Sequence, residues 1–377
     1  MTTYVSYPFN APSTVEVFPD SEVSFDSLVK SLGTPVSDKT IGANRFASFE
    51  SKDGFSYYLC HYPARGEIRK VTCPDSSFSN RPENDSQRPA VNAPALYQID
   101  VDNRRINCGM SYVYHLADGR FFIIDGGYFT YGECDRLYSL LRSLAPEGKL
   151  EIAGWFFSHA HQDHFGCFIE FILKYRNEIE IEALYYTFPS LALEEAVRWK
   201  QSDNATMREF DYTVARVLPN VKHIHPHTGE AFTLSTLSIE VLFTHEDIYP
   251  ESVGAFNNTS TVLRIVCEGQ SALFLGDLQT TSCRKLEAMW GDYLKSDIVQ
   301  VAHHGFNGST PETYSFAMPE IALWPSCQEG YNGNTTREAN AHLIAMTSVK
   351  EHLIAGFVGT RKLPLPYTPG TSIPVKH

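Results

Sequence analysis

Four of the seven residues from Ser158 to His164 are good metal ligands: His159, His161, Asp163 and His164. They follow the apolar run Ile152 to Phe157, so the chain leaves a buried strand where its side chains can turn toward one point. His159 and His161 can share one ion. In the same turn Asp163 and His164 can reach a second. Neutral imidazoles with a carboxylate suit Zn²⁺ and do not exclude Fe²⁺ or Mn²⁺. The plainer reading, a polar loop with fortuitous histidines, must place three His and one Asp within six positions by chance.

Two later segments repeat the logic of an apolar strand ending in a ligand. Ser271 to Leu275 runs into Gly276 and Asp277, which alone would more often be a simple turn. Ile298 to Ala302 runs into His303, His304 and Gly305, and strand ends from separate parts of a chain can converge at one edge of a sheet. The strand-end direction assigns His303 to the metals. Successive side chains in extended structure point to opposite sides, so His304 is expected beside the metals without joining them, although the sequence alone leaves the two histidines ambiguous.

The elements that must position these residues alternate between strand and helix. Ser111 to Leu116 and Arg120 to Ile124 flank Ala117-Asp118-Gly119, a hairpin signal. Leu137, Leu140, Leu141 and Leu144 have helical spacing within Cys134 to Leu144, and Phe165 to Tyr175 also reads as helix. Further strands are expected at Ile181 to Tyr186, Leu237 to Phe243, Thr261 to Cys267 and Ile321 to Trp324. Helices are expected at Leu191 to Trp199, around Val214 and at Cys283 to Trp290. Upstream, Phe25 to Leu32 is helix-like, Arg45 to Phe49 and Phe55 to His61 are rich in aromatics, and Cys73 to Pro94 has linker chemistry. The expected division is a 1–95 extension and a 96–377 main domain that carries the metal-ligand runs. Hairpins mixed with helices imply sheet layers covered by helices, an α/β sandwich.

The set His159, His161, Asp163, His164, Asp277 and His303 resembles the metallo-β-lactamase-fold hydrolases, whose opening Asp-Gly motif stands here as Asp125-Gly126. The resemblance covers about residues 106 to 325. It implies a four-layer αβ/βα sandwich with an N-terminal α+β extension, two divalent metal ions, and Asp125 orienting a ligand from behind. Asn257 to Arg264, Leu275 to Asp277, and His303 to Gly305 with Ser309 look most like the ComEC/Rec2 hydrolase domain and its soluble relatives. The implied reaction is hydrolysis by a metal-bridging hydroxide that Asp163 positions, on a small phosphodiester, with His304 contacting the scissile group or protonating the leaving oxygen. A carboxylic ester, lactone or β-lactam hydrolase is the alternative among enzymes, and an inactive metal-stabilised binding module the alternative outside them. The His-Thr-Pro-Gly-His segment of other members is absent, with His245 and Asn257 the nearest substitutes for a ligand at the first metal.

Composition limits the partners. With 31 basic and 44 acidic residues the chain carries a formal charge of −13, and it shows no local basic patch, so nucleic acid and anionic membrane are disfavoured and a small-molecule ester is expected. Eight scattered cysteines without a Cys-x-x-Cys pair read as reduced thiols of a cytoplasmic protein. Cys167 reads as a packing residue and the alternating His223, His225 and His227 as a solvated strand. Tyr128, Phe129 and Tyr131 are candidates for a pocket wall, and Arg337, Arg361 and Lys362 default to surface charge.

Overall fold

The computed structural model describes residues 2–5, 12–50, 54–74, 83–85, 88–101, 109–129, 132–189, 201–249 and 256–376. These form three sheets. The first joins β1 (Thr2–Val5), β2 (Pro12–Pro19), β3 (Ser37–Ile41), β4 (Asn44–Phe49), β5 (Phe55–Tyr62) and β6 (Glu67–Pro74) in the order β1-β2-β6-β5-β4-β3. The second contains β7 (Ala95–Gln98), β8 (Ser111–His115), β9 (Phe121–Asp125), β10 (Leu150–Phe157), β11 (Ile179–Ile181), β12 (Ala183–Tyr186) and β13 (Lys222–Ile224), extended by β21 (Arg361–Pro364) and β22 (Ile373–Pro374). Its order is β13-β12-β10-β9-β8-β7-β21-β22, with β11 also on β10. The third runs β14-β15-β16-β17-β18-β19-β20, these being Ala231–Leu234, Leu237–Phe243, Val262–Cys267, Gln270–Phe274, Ile298–Gln300, Ile321–Trp324 and Glu351–Ile354.

The strands that face two cores alternate accordingly. Tyr112, Tyr114, Phe122 and Ile124 of the second sheet meet Ile239, Val241, Phe274, Ile298 and Leu323 of the third in a core between the sheets. Val113, Phe121 and Ile123 point the other way, onto helices α2 (Glu133–Leu144), α3 (Gln162–Tyr175) and α4 (Gln201–Val217), which present Leu137, Leu141, Phe168, Phe171 and Phe210. On the far side, Val299, Ala322 and Trp324 meet residues of α5 (Thr280–Trp290), α6 (Pro311–Ala317) and α8 (Glu338–Ala345), the short α7 (Gln328–Asn334) lying between the last two in sequence. Helix, sheet, sheet and helix make four layers. Among the described residues no helix is long and apolar enough to cross a membrane.

The N-terminal sheet covers part of the third sheet's outer side with one face, and helix α1 (Phe25–Leu32) packs on its other face against Ala47, Phe49, Leu59 and Ile68. Phe46 stacks on Trp290 with ring centroids 5.8 Å apart, and Asn44 donates to the Met289 carbonyl at 2.7 Å. Cys73, expected in a linker, is the next-to-last residue of β6 and is buried. Asp85 in the following strap bridges to Leu234.

Three other expectations change. The strand expected over Ile181 to Tyr186 parts at Glu182, whose carboxylate pairs with Arg120 and Arg88. The strand expected through Ala302 stops at Gln300. Far from being solvated, His227 is buried, while His223 and His225 bond to the hydroxyl and carbonyl of Tyr186. The helix expected at Leu191 to Trp199 lies outside the described residues, as does Tyr131.

Candidate metal centre

Strands β9 and β10 are parallel, as are β17 and β18, and the segments following all four carry polar residues to the same rim between the two central sheets. Backbone bonds tie these segments together. Thr261 N donates to Ser158 O at 2.8 Å, Gly126 N to His164 O at 2.6 Å, and His303 N to Gly276 O at 3.0 Å. Gly276 holds φ +55°, where an added Cβ would stand 2.8 Å from Ser260 Oγ, so the turn that delivers Asp277 admits no side chain.

Two donor groups form there. His159, His161 and Asp277 make one; Asp163, His164, Asp277 and His304 make the other. In the first, His159 Nε2 lies 3.0 Å from His161 Nδ1 and 3.8 Å from Asp277 Oδ2. In the second, His304 Nε2 lies 3.2 Å from His164 Nε2 and 3.3 Å from both Asp163 Oδ2 and Asp277 Oδ2. Asp277 is common to both.

The second ring nitrogens show how the imidazoles are aimed. His164 Nδ1 meets Asp125 Oδ2 at 2.7 Å, and His304 Nδ1 meets the Pro325 carbonyl at 2.8 Å. Asp125 is itself fixed by the Ser158 amide at 2.7 Å and hydroxyl at 2.8 Å. With Nδ1–H donated outward, both Nε2 lone pairs face inward 3.2 Å apart, an approach that requires a cation or a shared proton between them. Donors about 2.0–2.1 Å from a tetrahedral ion stand about 3.3 Å from one another, close to the separations in the second group. Asp277 Oδ1 is buried without a hydrogen bond of good geometry. The residues fit a pair of divalent ions.

The electrostatics agree. Burial alone would raise the carboxyl of Asp163, but the His304 hydrogen bond and the His164 charge hold it well below the usual range. Burial likewise opposes charge on His304, yet Asp277 and Asp163 outweigh it and push its pKa up to about 9. Burial also drives His159 well below the ordinary imidazole value. The site thus keeps anionic carboxylates inside the protein and draws positive charge to them.

The two adjacent histidines sit differently from the expectation. His304, expected to stand aside, belongs to the second group, whereas His303, expected among the ligands, meets Asn257 Nδ2 at 2.9 Å and stays 3.9 Å from Asp277 Oδ2. Alternation does not apply because neither residue is extended: His303 has φ 51°, ψ 44° and His304 φ 52°, ψ 17°. Gly305, at φ +81° against Trp324, completes the reversal. Asn257 therefore contacts a histidine at the rim. His245 lies elsewhere, beside Glu246 and His227. Two supports escaped sequence reading: Ser260 Oγ accepts the Asp277 amide at 2.9 Å, and Gln300 ties Leu275 N and Gly276 O. A buried Gln in an apolar strand was the available signal.

Residues 106–244 match the metallo-beta-lactamase superfamily. That span contains Asp125 and the whole run from His159 to His164, whereas Asp277, His303 and His304 lie beyond it. Among solved structures, the chain is similar to the metallo-beta-lactamase fold protein YhfI from Bacillus subtilis, at 12% identity and TM-score 0.41, covering 70% of this chain and 96% of that one. It is also similar to CmlA, a diiron beta-hydroxylase from Streptomyces venezuelae, at 12% identity and TM-score 0.42, covering 74% of this chain and 55% of that one. Zn(2+)-bound PqqB from Methylobacterium extorquens is a further likeness, at 14% identity and TM-score 0.35, covering 55% of this chain and 72% of that one. No curated protein sequence matches the chain.

Proposed function

We propose that the chain is a dinuclear metal-dependent hydrolase of the metallo-beta-lactamase superfamily that acts on a small phosphodiester. The observation that carries this reading is the Asp277 carboxylate held in common by two buried donor groups, with imidazole nitrogens aimed inward by outer hydrogen bonds. Zn²⁺ best suits three or four N and O donors per group. Two such ions would supply Lewis acidity and a water acidified toward neutral pH.

The chain's own residues divide the remaining work. His159, His161, Asp163, His164, Asp277 and His304 would hold the ions, and Asp125 fixes the orientation of His164. Asp163, kept anionic, accepts a hydrogen bond from the attacking water. His303 is the substrate-facing histidine: its side chain is 18% exposed, whereas His159, His164 and His304 are closed off from solvent, and Asn257 holds its ring. It is placed to touch or protonate the leaving oxygen. The net charge of −13 favours a small diester over a long polyanion. The segments around Asn257, Asp277 and His303 support placement near the ComEC/Rec2-type hydrolases.

The test is a chelator-treated protein reloaded with Zn²⁺ or Mn²⁺ and offered a generic phosphodiester, a phosphomonoester, a carboxylic ester and a lactone. Metal-dependent turnover with the phosphodiester preferred is the expected result. Preference for the lactone or carboxylic ester would move the assignment to that class, and a metal-loaded protein that turns over none of them would be a binding module.

A further inference from the structure

A third convergence of metal donors lies away from the central rim, at the seam between the N-terminal sheet and the third sheet. Cys73 is the next-to-last residue of β6, His227 precedes β14 and Glu246 follows β15; one donor atom of each lies within 4.8 Å of the others. Their exposures are 3%, 4% and 4%. His227 presents Nε2 to Cys73 Sγ at 3.9 Å and Nδ1 to Glu246 Oε2 at 2.7 Å. The Tyr58 ring covers the imidazole with centroids 4.0 Å apart, and Val15, Val71 and Tyr249 surround the thiol.

A hydrogen-bonded relay of thiol, imidazole and carboxylate is the competing description, and it leaves the cluster incomplete. Glu246 Oε1 is buried without a hydrogen bond of good geometry, the Thr244 side chain being the other polar group that reaches this carboxylate. The thiol and Nε2 meet only at the long end of sulfur hydrogen bonding. Arg69, buried nearby, donates to the Glu246 backbone carbonyl and to Glu67 rather than to the Glu246 carboxylate.

We propose that Cys73, His227 and Glu246 hold a structural Zn²⁺ that fastens the N-terminal sheet to the body carrying the dinuclear centre. A thiolate, an imidazole and a carboxylate inside an apolar shell are three zinc-type donors, so a solvent oxygen would complete the tetrahedron. Loading releases the thiol proton, and any second proton on the ring, to solvent. The imidazole binds through one nitrogen, so the ring or the Glu246 carboxylate moves from the present Nδ1 contact. The ion links residues 154 positions apart, and closing so long a loop disfavours the unfolded chain.

The experiment uses the full chain loaded with Co²⁺ in place of Zn²⁺. Among the described residues neither group of the dinuclear centre includes a cysteine, so a thiolate-to-Co²⁺ charge-transfer band in the near ultraviolet that is lost with Cys73 reports the seam. The band is expected in the wild type and absent from Cys73→Ser, which should carry one ion fewer per chain with phosphodiester turnover retained. A wild-type cobalt protein without the band, or a Cys73→Ser protein with the full band, would overturn the site. The wild-type spectrum decides the matter even where the variant fails to fold. Loss of the hydrolase reading would leave the band untouched, so the two failures are distinct.

Discussion

The imidazoles of His303 and His304 leave the chain one residue apart yet meet different partners, Asn257 for the first and Asp163, His164 and Asp277 for the second. Metal analysis and steady-state kinetics should therefore part the two. His304→Ala is expected to lose metal and activity together, whereas His303→Ala keeps its ions and loses kcat; a fully loaded His304→Ala beside a depleted His303→Ala would reverse the assignment. Asp163→Asn keeps the shape but weakens the acceptor, so kcat should fall by a factor of about 100 or more. Activity within a few fold of wild type would place the water-positioning group elsewhere. Glu133 offers a pH test on stability. Burial raises its carboxyl to about 8, against only one close backbone donor, the Tyr128 amide at 2.6 Å. A raised acid in the folded state favours folding below the unfolded value of about 4.5, and that contribution is lost as pH rises toward 8. The melting temperature of wild type relative to Glu133→Gln should accordingly decline between about pH 5 and about pH 9. A difference that stays flat across this range would show that Glu133 ionises without penalty.

At the scale of elements, the legible parts were those whose periodicity is set by two opposed cores. Phe121 to Asp125 and Ile321 to Trp324 alternate because each face meets a different apolar layer, and Leu137 to Leu144 repeats every third or fourth residue because one helix face is buried. The run from His159 to His164 was legible for another reason: ligands placed this densely have few uses besides metal. What the pattern concealed was the end of β18. Val301 and Ala302 look like more strand, but the chain has already left the ladder, and two left-handed histidines have no sequence signature beyond the glycine that follows them. The turn before Asp277 is a similar device with a clear test. Gly276→Ala adds a Cβ at positive φ against Ser260, at an expected cost of about 1–3 kcal/mol, and it should displace Asp277 enough to reduce metal content. Thermal unfolding and metal analysis measure both, and unchanged values would show that the turn has room.

Across the whole molecule, the N-terminal sheet shares its apolar surface with the body. Phe46, Cys60 and Tyr62 join the core that contains Trp290, Leu273 and Val299. Composition could mark a change over Cys73 to Pro94 but not this contact, because the aromatic residues of β4 and β5 read the same whether they pack internally or on another sheet. Phe46→Ala should destabilise the chain by about 3 kcal/mol or more in denaturant unfolding; a change below about 1 kcal/mol would mean that this face carries little of the fold's stability. The central claim concerns the rim where both central sheets deliver their ligands. Crystals of the zinc-loaded chain, with diffraction measured on either side of the zinc absorption edge, test it most directly. Two anomalous peaks about 3.5–4 Å apart on either side of the Asp277 carboxylate are predicted; a single peak there, or none, would contradict a dinuclear centre.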